Sequence, residues 1–151
     1  MRGYRRPDGR IGIRNHVMVL STCGCANVVA RRIAAAVPGA VAVPCAKGCG
    51  QVGTGIEIMR RCLRNLAANP NVFGTLLVGL GCESTRPYEL AERIRAALDK
   101  PLEVITIQDL GGSERAVERG AELARALVAR AADVERCEMT LADLVLGTNC
   151  G

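Results

Sequence analysis

The sequence predicts an α/β protein: a single three-layer domain with a mostly parallel, Rossmann-like or flavodoxin-like sheet of five strands. Three observations carry that expectation. Short β-branched and aliphatic runs alternate with longer amphipathic stretches along the 151 residues. No linker, repeat or low-complexity tract breaks the rhythm, so the chain reads as one α/β domain over 1–151. The 49% hydrophobic fraction suffices for one packed core of ordinary size.

Strands are expected near 17–21, 40–43, 74–80, 103–107 and 143–147. Between them, residues 26–37, 54–68, 86–99 and 113–132 repeat apolar positions at helical spacing, as in Leu90, Ile94, Ala97 and Leu98. Pro38-Gly39 stops the first helix, Asn69-Pro70 stops the second, and Gly112 or Ser113 opens the fourth. With no Trp, one Phe and two Tyr, the core must be aliphatic and base stacking on aromatic side chains is not provided for.

The formal charge of +5 comes almost wholly from arginine. Arg93, Arg95, Arg115, Arg119, Arg125 and Arg130 recur on helical segments interleaved with Glu, which describes solvated helix faces rather than a basic stripe. No nucleic-acid reading motif accompanies the charge, and a small anionic substrate uses it better. The start MRGYRRPDGR is basic, but the stretch MVLSTCGCANVVA is too polar and too short for a signal or membrane segment, so a cytoplasmic location is expected. In that reducing compartment, eight cysteines read as metal binding or catalysis, not as a disulfide framework.

Four apolar runs end in cysteine: VMVLSTCGCAN, VAVPCAKGCGQ, LLVGLGCEST and LVLGTNCG. Right-handed crossovers place the carboxyl ends of parallel strands on one edge, where ligands bind at the switch in strand order. Cys25, Cys49, Cys82 and Cys150 would meet there, and thiolates beside glycine suit iron-sulfur clusters or zinc. Any one of them is equally a small buried hydrophobe. The spacings C-x-C at Cys23 and Cys25 and C-x3-C at Cys45 and Cys49 match no zinc knuckle or ferredoxin run, so the case rests on topology. Cys62 and Cys137 read as core or surface residues.

Other residues near these cysteines offer chemistry. Glu83 is a candidate acid or base, or else caps the following helix with Ser84. Arg86 can fork onto a carboxylate, and Lys47 can bind an anion or lower thiol pKa values. The glycines from Gly48 to Gly55 open a loop before a helix that can hold a carboxylate or phosphate. Their G-x-G-x-x-G follows a second strand and lacks the acidic partner of a dinucleotide site. His16, the one histidine, reads as structural.

The segments GYRRPDGRIGIRNHVMVLST, KGCGQ, NPNV, VGLGCE and GTNCG, in that order, resemble the sugar-acid dehydratases that include altronate and galactarate dehydratase and the large subunit of sulfolactate sulfo-lyase. The likeness runs from Gly3 to Gly151. It implies an iron-dependent lyase that removes water, or sulfite, from a 2-hydroxy acid by abstracting a proton beside the carboxylate. It matches the family's recurring cysteines to Cys25, Cys49, Cys82 and Cys150, its opening motif to Asp8, Arg10, Arg14 and Asn15, and positions beside the cysteines to Glu83 and Asn149. Arg14, Asn15, Arg86 and Asn149 are thereby expected to bind substrate, and Glu83 and Lys47 to serve catalysis. Where the family often carries histidine ahead of GCG, this chain has Cys45, Ala46 and Lys47.

The same resemblance implies a fragment of a longer lyase subunit, with a small antifreeze-like module as a separate partner subunit and a further C-terminal domain. A homo-oligomer is compatible with the sequence. Iron, as a cluster or a mononuclear ferrous ion, would act as a Lewis acid on the leaving hydroxyl and the carboxylate. The competing readings are an iron-sulfur electron-transfer or redox-sensing module, and a non-catalytic interaction domain with incidental thiols.

Overall fold

The computed structural model describes residues 1–149. Its central sheet is parallel and has four strands in the order β4-β3-β5-β6, where β3 is His16–Ser21, β4 Ala40–Val43, β5 Val72–Gly79 and β6 Leu102–Thr106. Helices α1 (Asn27–Ala35), α2 (Thr54–Ala68), α3 (Pro87–Arg95) and α4 (Ser113–Ala132) follow these strands in turn. A second, antiparallel sheet of three short strands, β2-β1-β7, joins β1 (Arg2–Arg5) to β2 (Ile11–Gly12) and β7 (Cys137–Glu138).

Alternation along the strands divides the core in two. Val17, Val19, Leu76 and Val78 pack with Ile33 of α1 and Ala124 and Leu127 of α4. Met18, Leu20 and Leu77 pack with Leu63 of α2 and Leu90 and Ile94 of α3. Helices α1 and α4 therefore cover one face, and α2 and α3 the other. The order of strands reverses at β3, whose neighbours β4 and β5 lie on opposite sides, so the switch crevice opens beyond the carboxyl ends of β3 and β5.

Two expectations need correction. The sheet has four strands and not five: residues 143–147 form no strand. Thr140 and Asp143 cap each other reciprocally and turn the chain into a 3-10 turn, Leu141–Asp143, and Leu144, Val145 and Leu146 beyond it pair with no strand. The small antiparallel sheet went unforeseen, because RGYR, IG and CE carry no apolar alternation and are joined through backbone pairing alone. Among the described residues, no helix is long and apolar enough to cross a membrane.

Candidate functional site

Three cysteine-bearing loops meet at the carboxyl edge of the parallel sheet. The loop after β3 carries Cys23 and Cys25, the loop after β4 carries Cys45 and Cys49, and the loop after β5 carries Cys82. Backbone bonds lace them together: Gly24 N donates to Lys47 O at 3.0 Å, Ser84 N to Gly48 O at 3.1 Å, and Thr22 N to Val78 O at 3.0 Å. Gly48 admits a close backbone approach between two of these loops. Its φ is +113°, and a Cβ there would run into the Thr22 carbonyl and lie 2.6 Å from the Cys23 Cα.

The thiols face one another across this junction. The Cys49 thiol is held above its ordinary pKa, first by partial desolvation of an otherwise exposed side chain and then by the neighbouring Cys25, with Cys82 pushing the same way. Cys25, Cys49 and Cys82 are exposed, whereas Cys23 is fully buried and raised to about 11, by burial first and with Glu83 and Cys49 adding to it. Among the described residues, no three His, Cys, Asp or Glu side chains are already gathered at metal-holding spacing. Cys150 lies outside the described residues.

Glu83 does not cap α3. The N-cap of that helix is Arg86, with Pro87 at the first turn and no side-chain cap bond. Instead the Glu83 carboxylate is buried at 3% exposure and ties two loops together: it accepts from Thr22 Oγ1 at 2.6 Å, Leu80 N at 3.0 Å and Gly81 N at 2.6 Å. Burial opposes its charge, but these donors and its own amide prevail and hold its pKa below the usual carboxylate value. A saturated, buried, permanently ionised carboxylate is a poor proton carrier and a good brace. Sequence reasoning missed Thr22, Ser21 and Asn27. Ser21 Oγ and Asn27 Oδ1 each accept from Cys45 N at 2.9 Å and so fix the root of the Cys49 loop. For Cys23, the C-x-C spacing was the available signal.

Lys47 and Arg86 are both exposed on loops of this edge. Among the described residues Arg86 reaches only Glu89, at 3.8 Å, so its guanidinium is open to an anion. Asn149 is exposed beyond the Leu141–Asp143 turn.

Arg14 and Asn15, expected to bind substrate, lie away from the thiols. They precede β3 at its amino end, and a six-residue strand separates them from the cysteines by roughly 20 Å. There Arg14 N donates to Asn71 Oδ1 at 3.0 Å, and Asn15 Nδ2 to Ala131 O at 2.6 Å. The whole opening motif serves this end. Buried Arg6 donates to Pro70 O at 2.7 Å and Arg14 O at 3.0 Å, and Arg10 joins Asp8 at 2.6 Å and Ala68 O at 2.7 Å. Lys100 Nζ donates to the Ala67, Asn69 and Val72 carbonyls, satisfying the end of α2.

The sequence pattern described as D-galactarate dehydratase/Altronate hydrolase, second domain, matches residues 3–132. The chain belongs to this family. Its relatives include the beta subunit of (2R)-sulfolactate sulfo-lyase from Chromohalobacter salexigens, 32% identical over 99% of this chain and 37% of that protein. Altronate dehydratase of Bacillus subtilis is 28% identical over 99% of the chain and 32% of its own length. Altronate dehydratase of Escherichia coli is 28% identical over 98% of the chain and 31% of its own length. The chain thus spans about a third of the length of these relatives. In this member of the family, the GYRRPDGR and NPNV motifs interlock at the amino end, and KGCGQ and VGLGCE meet at the carboxyl end.

Proposed function

We propose that this chain is the thiol-bearing domain of a hydro-lyase acting on a sugar acid such as altronate or galactarate, or on a related 2-hydroxy acid such as sulfolactate. Cys25, Cys49 and Cys82, with Cys150, hold its iron. The observation that carries the reading is that Cys25, Cys49 and Cys82, all exposed, lie on loops after three different strands that are bonded to one another through Gly24 N–Lys47 O and Ser84 N–Gly48 O. Exposed thiols gathered on one edge are a donor set for a thiophilic cation, which binds them as thiolates. Iron bound there supplies Lewis acidity toward the leaving group.

The chain's own side chains do the rest. Arg86 and Lys47, open on the same edge, receive the substrate carboxylate and orient the carbon beside it. Glu83 fixes the Cys82 loop against the Cys23–Cys25 loop and keeps its charge throughout. The activity belongs to the assembled enzyme, with a small antifreeze-like subunit and a C-terminal domain beside this one, in the reducing cytoplasm.

Anaerobic purification with iron and sulfide analysis of Cys25→Ser, Cys49→Ser and Cys82→Ser tests the site. Each is expected to lose most of its iron, and unchanged iron in all three overturns the proposal. Adding altronate, galactarate or sulfolactate to the iron-loaded enzyme, joined to its other parts, is expected to perturb the iron spectrum. A centre blind to all three acids would instead be an electron-transfer or redox-sensing module.

A further inference from the structure

The two helical faces are packed unequally. Helix α4 buries six of its twenty residues, but α2 buries only Leu63 and Ala67 of fifteen. A groove of about 1030 Å³ lies between α2 and α3. Both helices run back antiparallel to the strands they follow, so the groove lies along two parallel helices. Leu90, Ala96 and Ile58 line it, and Ile58 is 52% exposed.

Four guanidiniums line the same groove: Arg60, Arg61, Arg64 and Arg93. Two carboxylates answer them. Arg60 meets Glu57 at 2.8 Å and Glu89 at 3.3 Å, and Arg93 meets Glu57 at 3.1 Å. Four positive charges less two negative leaves two, carried by Arg61 and Arg64 on successive turns of α2. Neither meets a carboxylate among the described residues; Arg64 reaches only Asn65 Oδ1, at 3.5 Å.

We infer that this groove docks an acidic amphipathic helix of a partner polypeptide. Its apolar stripe lies on the exposed Ile58 and Ala96, above the buried Leu90, and its carboxylates face Arg61 and Arg64. A cleft between two parallel helices takes a third helix by ridge-and-groove packing, and α2 offers about 22 Å, some four turns, for it to lie along. A second copy of this chain fits poorly, because a two-fold contact through this face brings the same excess positive charge against itself. Nucleic acid fits poorly as well, since Glu57 and Glu89 answer half of the positive charge and the lining offers no aromatic side chain for a base to stack on. The inference stands apart from the thiol site and is read without iron.

The test uses the full chain and three labelled probes followed by fluorescence anisotropy. They are a synthetic peptide of roughly 18 residues with Leu and Glu at helical spacing, the same peptide with Lys for Glu, and an oligo-dT strand. The Glu peptide is expected to bind, to weaken with salt, and to lose about tenfold or more in affinity in the Arg61→Glu, Arg64→Glu double variant. Ile58→Asp should weaken it likewise, and Arg61→Lys with Arg64→Lys should retain binding; circular dichroism verifies that each variant is folded. Failure of the Glu peptide to bind overturns the inference, as does equal binding of the Lys peptide or oligo-dT, or an unchanged affinity in the charge-reversed variant. A dimer in sedimentation equilibrium that Ile58→Asp dissolves would give the face to a second copy and also overturn it.

Discussion

At the amino end of the parallel sheet, Arg6, Arg10 and Lys100 direct their side-chain donors to the backbone of residues 67–72, Arg14 N donates to the Asn71 side chain, and the polar groups there are largely closed on each other. At the carboxyl end the backbone is laced together just as firmly, yet Cys25, Cys49, Cys82, Lys47 and Arg86 are left facing outward. One end uses charged side chains to satisfy the termini of helices and turns. The other holds loops with buried groups, Glu83 and Thr22, and keeps its reactive side chains free. Basic residues in a motif therefore do not mark a substrate site by themselves; what they already bond to decides it.

Each end contains one glycine that admits a close backbone approach, and replacing each should separate stability from chemistry. A Cβ on Gly12 would enter the Pro70 carbonyl and come 2.9 Å from Asn71 N, between elements fixed on both sides. Gly12→Ala is expected to cost about 4 kcal/mol, near the top of the range for one substitution, as read by urea denaturation. Iron binding by the protein that remains folded should be unaffected. A loss of iron equal to that of Cys49→Ser would show that the two ends are not independent.

Glu83→Ala is expected to cost about 3 kcal/mol, because it leaves buried Thr22 Oγ1 with only a 3.4 Å contact to Val78 O and removes the acceptor of the part-buried Leu80 and Gly81 amides. Its pH dependence gives a second reading. The native carboxyl titrates below its ordinary 4.5, so the stability it confers is present above that value and disappears as pH falls through the lower native one. Equilibrium unfolding from pH 6 downward should therefore decline less steeply in the variant than in the parent. Parallel slopes would mean that Glu83 is not the ionised brace described above.

Much of this fold was legible because its signals are periodic. Expected helices 54–68 and 113–132 coincide with Thr54–Ala68 and Ser113–Ala132, and four strands fall within about two residues of their expected places. The fifth did not form, since LVL is as apolar as a strand but the Thr140–Asp143 cap turns the chain just before it. The convergence of Cys25, Cys49 and Cys82 on one edge followed from strand topology alone. The roles of Arg14, Asn15 and Glu83 did not, because a sequence motif shows residue types without their hydrogen-bond partners. NPNV and GYRRPDGR bond to each other across some sixty residues, a pairing with no local trace.

Gly48→Ala tests the other half of the contrast. The positive φ and the contact with Thr22 and Cys23 are both violated, but the Gly48 loop is a connection that can retreat, so about 2 kcal/mol is expected, less than for Gly12→Ala. Its effect on the site should be the greater one: retreat carries Cys49 away from Cys25 and Cys82, and iron content should fall in a protein that still melts cooperatively. Retention of full iron would mean that the thiols do not depend on this approach.

The smallest effect is expected where charge is exposed. Arg32 forks onto Glu114 at 2.6 and 2.7 Å and links α1 to α4, and the pairing raises the arginine's pKa and lowers the carboxyl's. Both groups stand in solvent, where water and salt screen them, and the two helices are already joined through Ile33, Ala124 and Leu127. Arg32→Ala should leave the melting temperature unchanged within error at physiological salt and lower it slightly at low ionic strength. A drop as large as that of Glu83→Ala would mean that short, well-aligned ion pairs stabilise this protein wherever they occur. Burial would then cease to be what separates the Glu83 brace from the ion pairs on the helix faces.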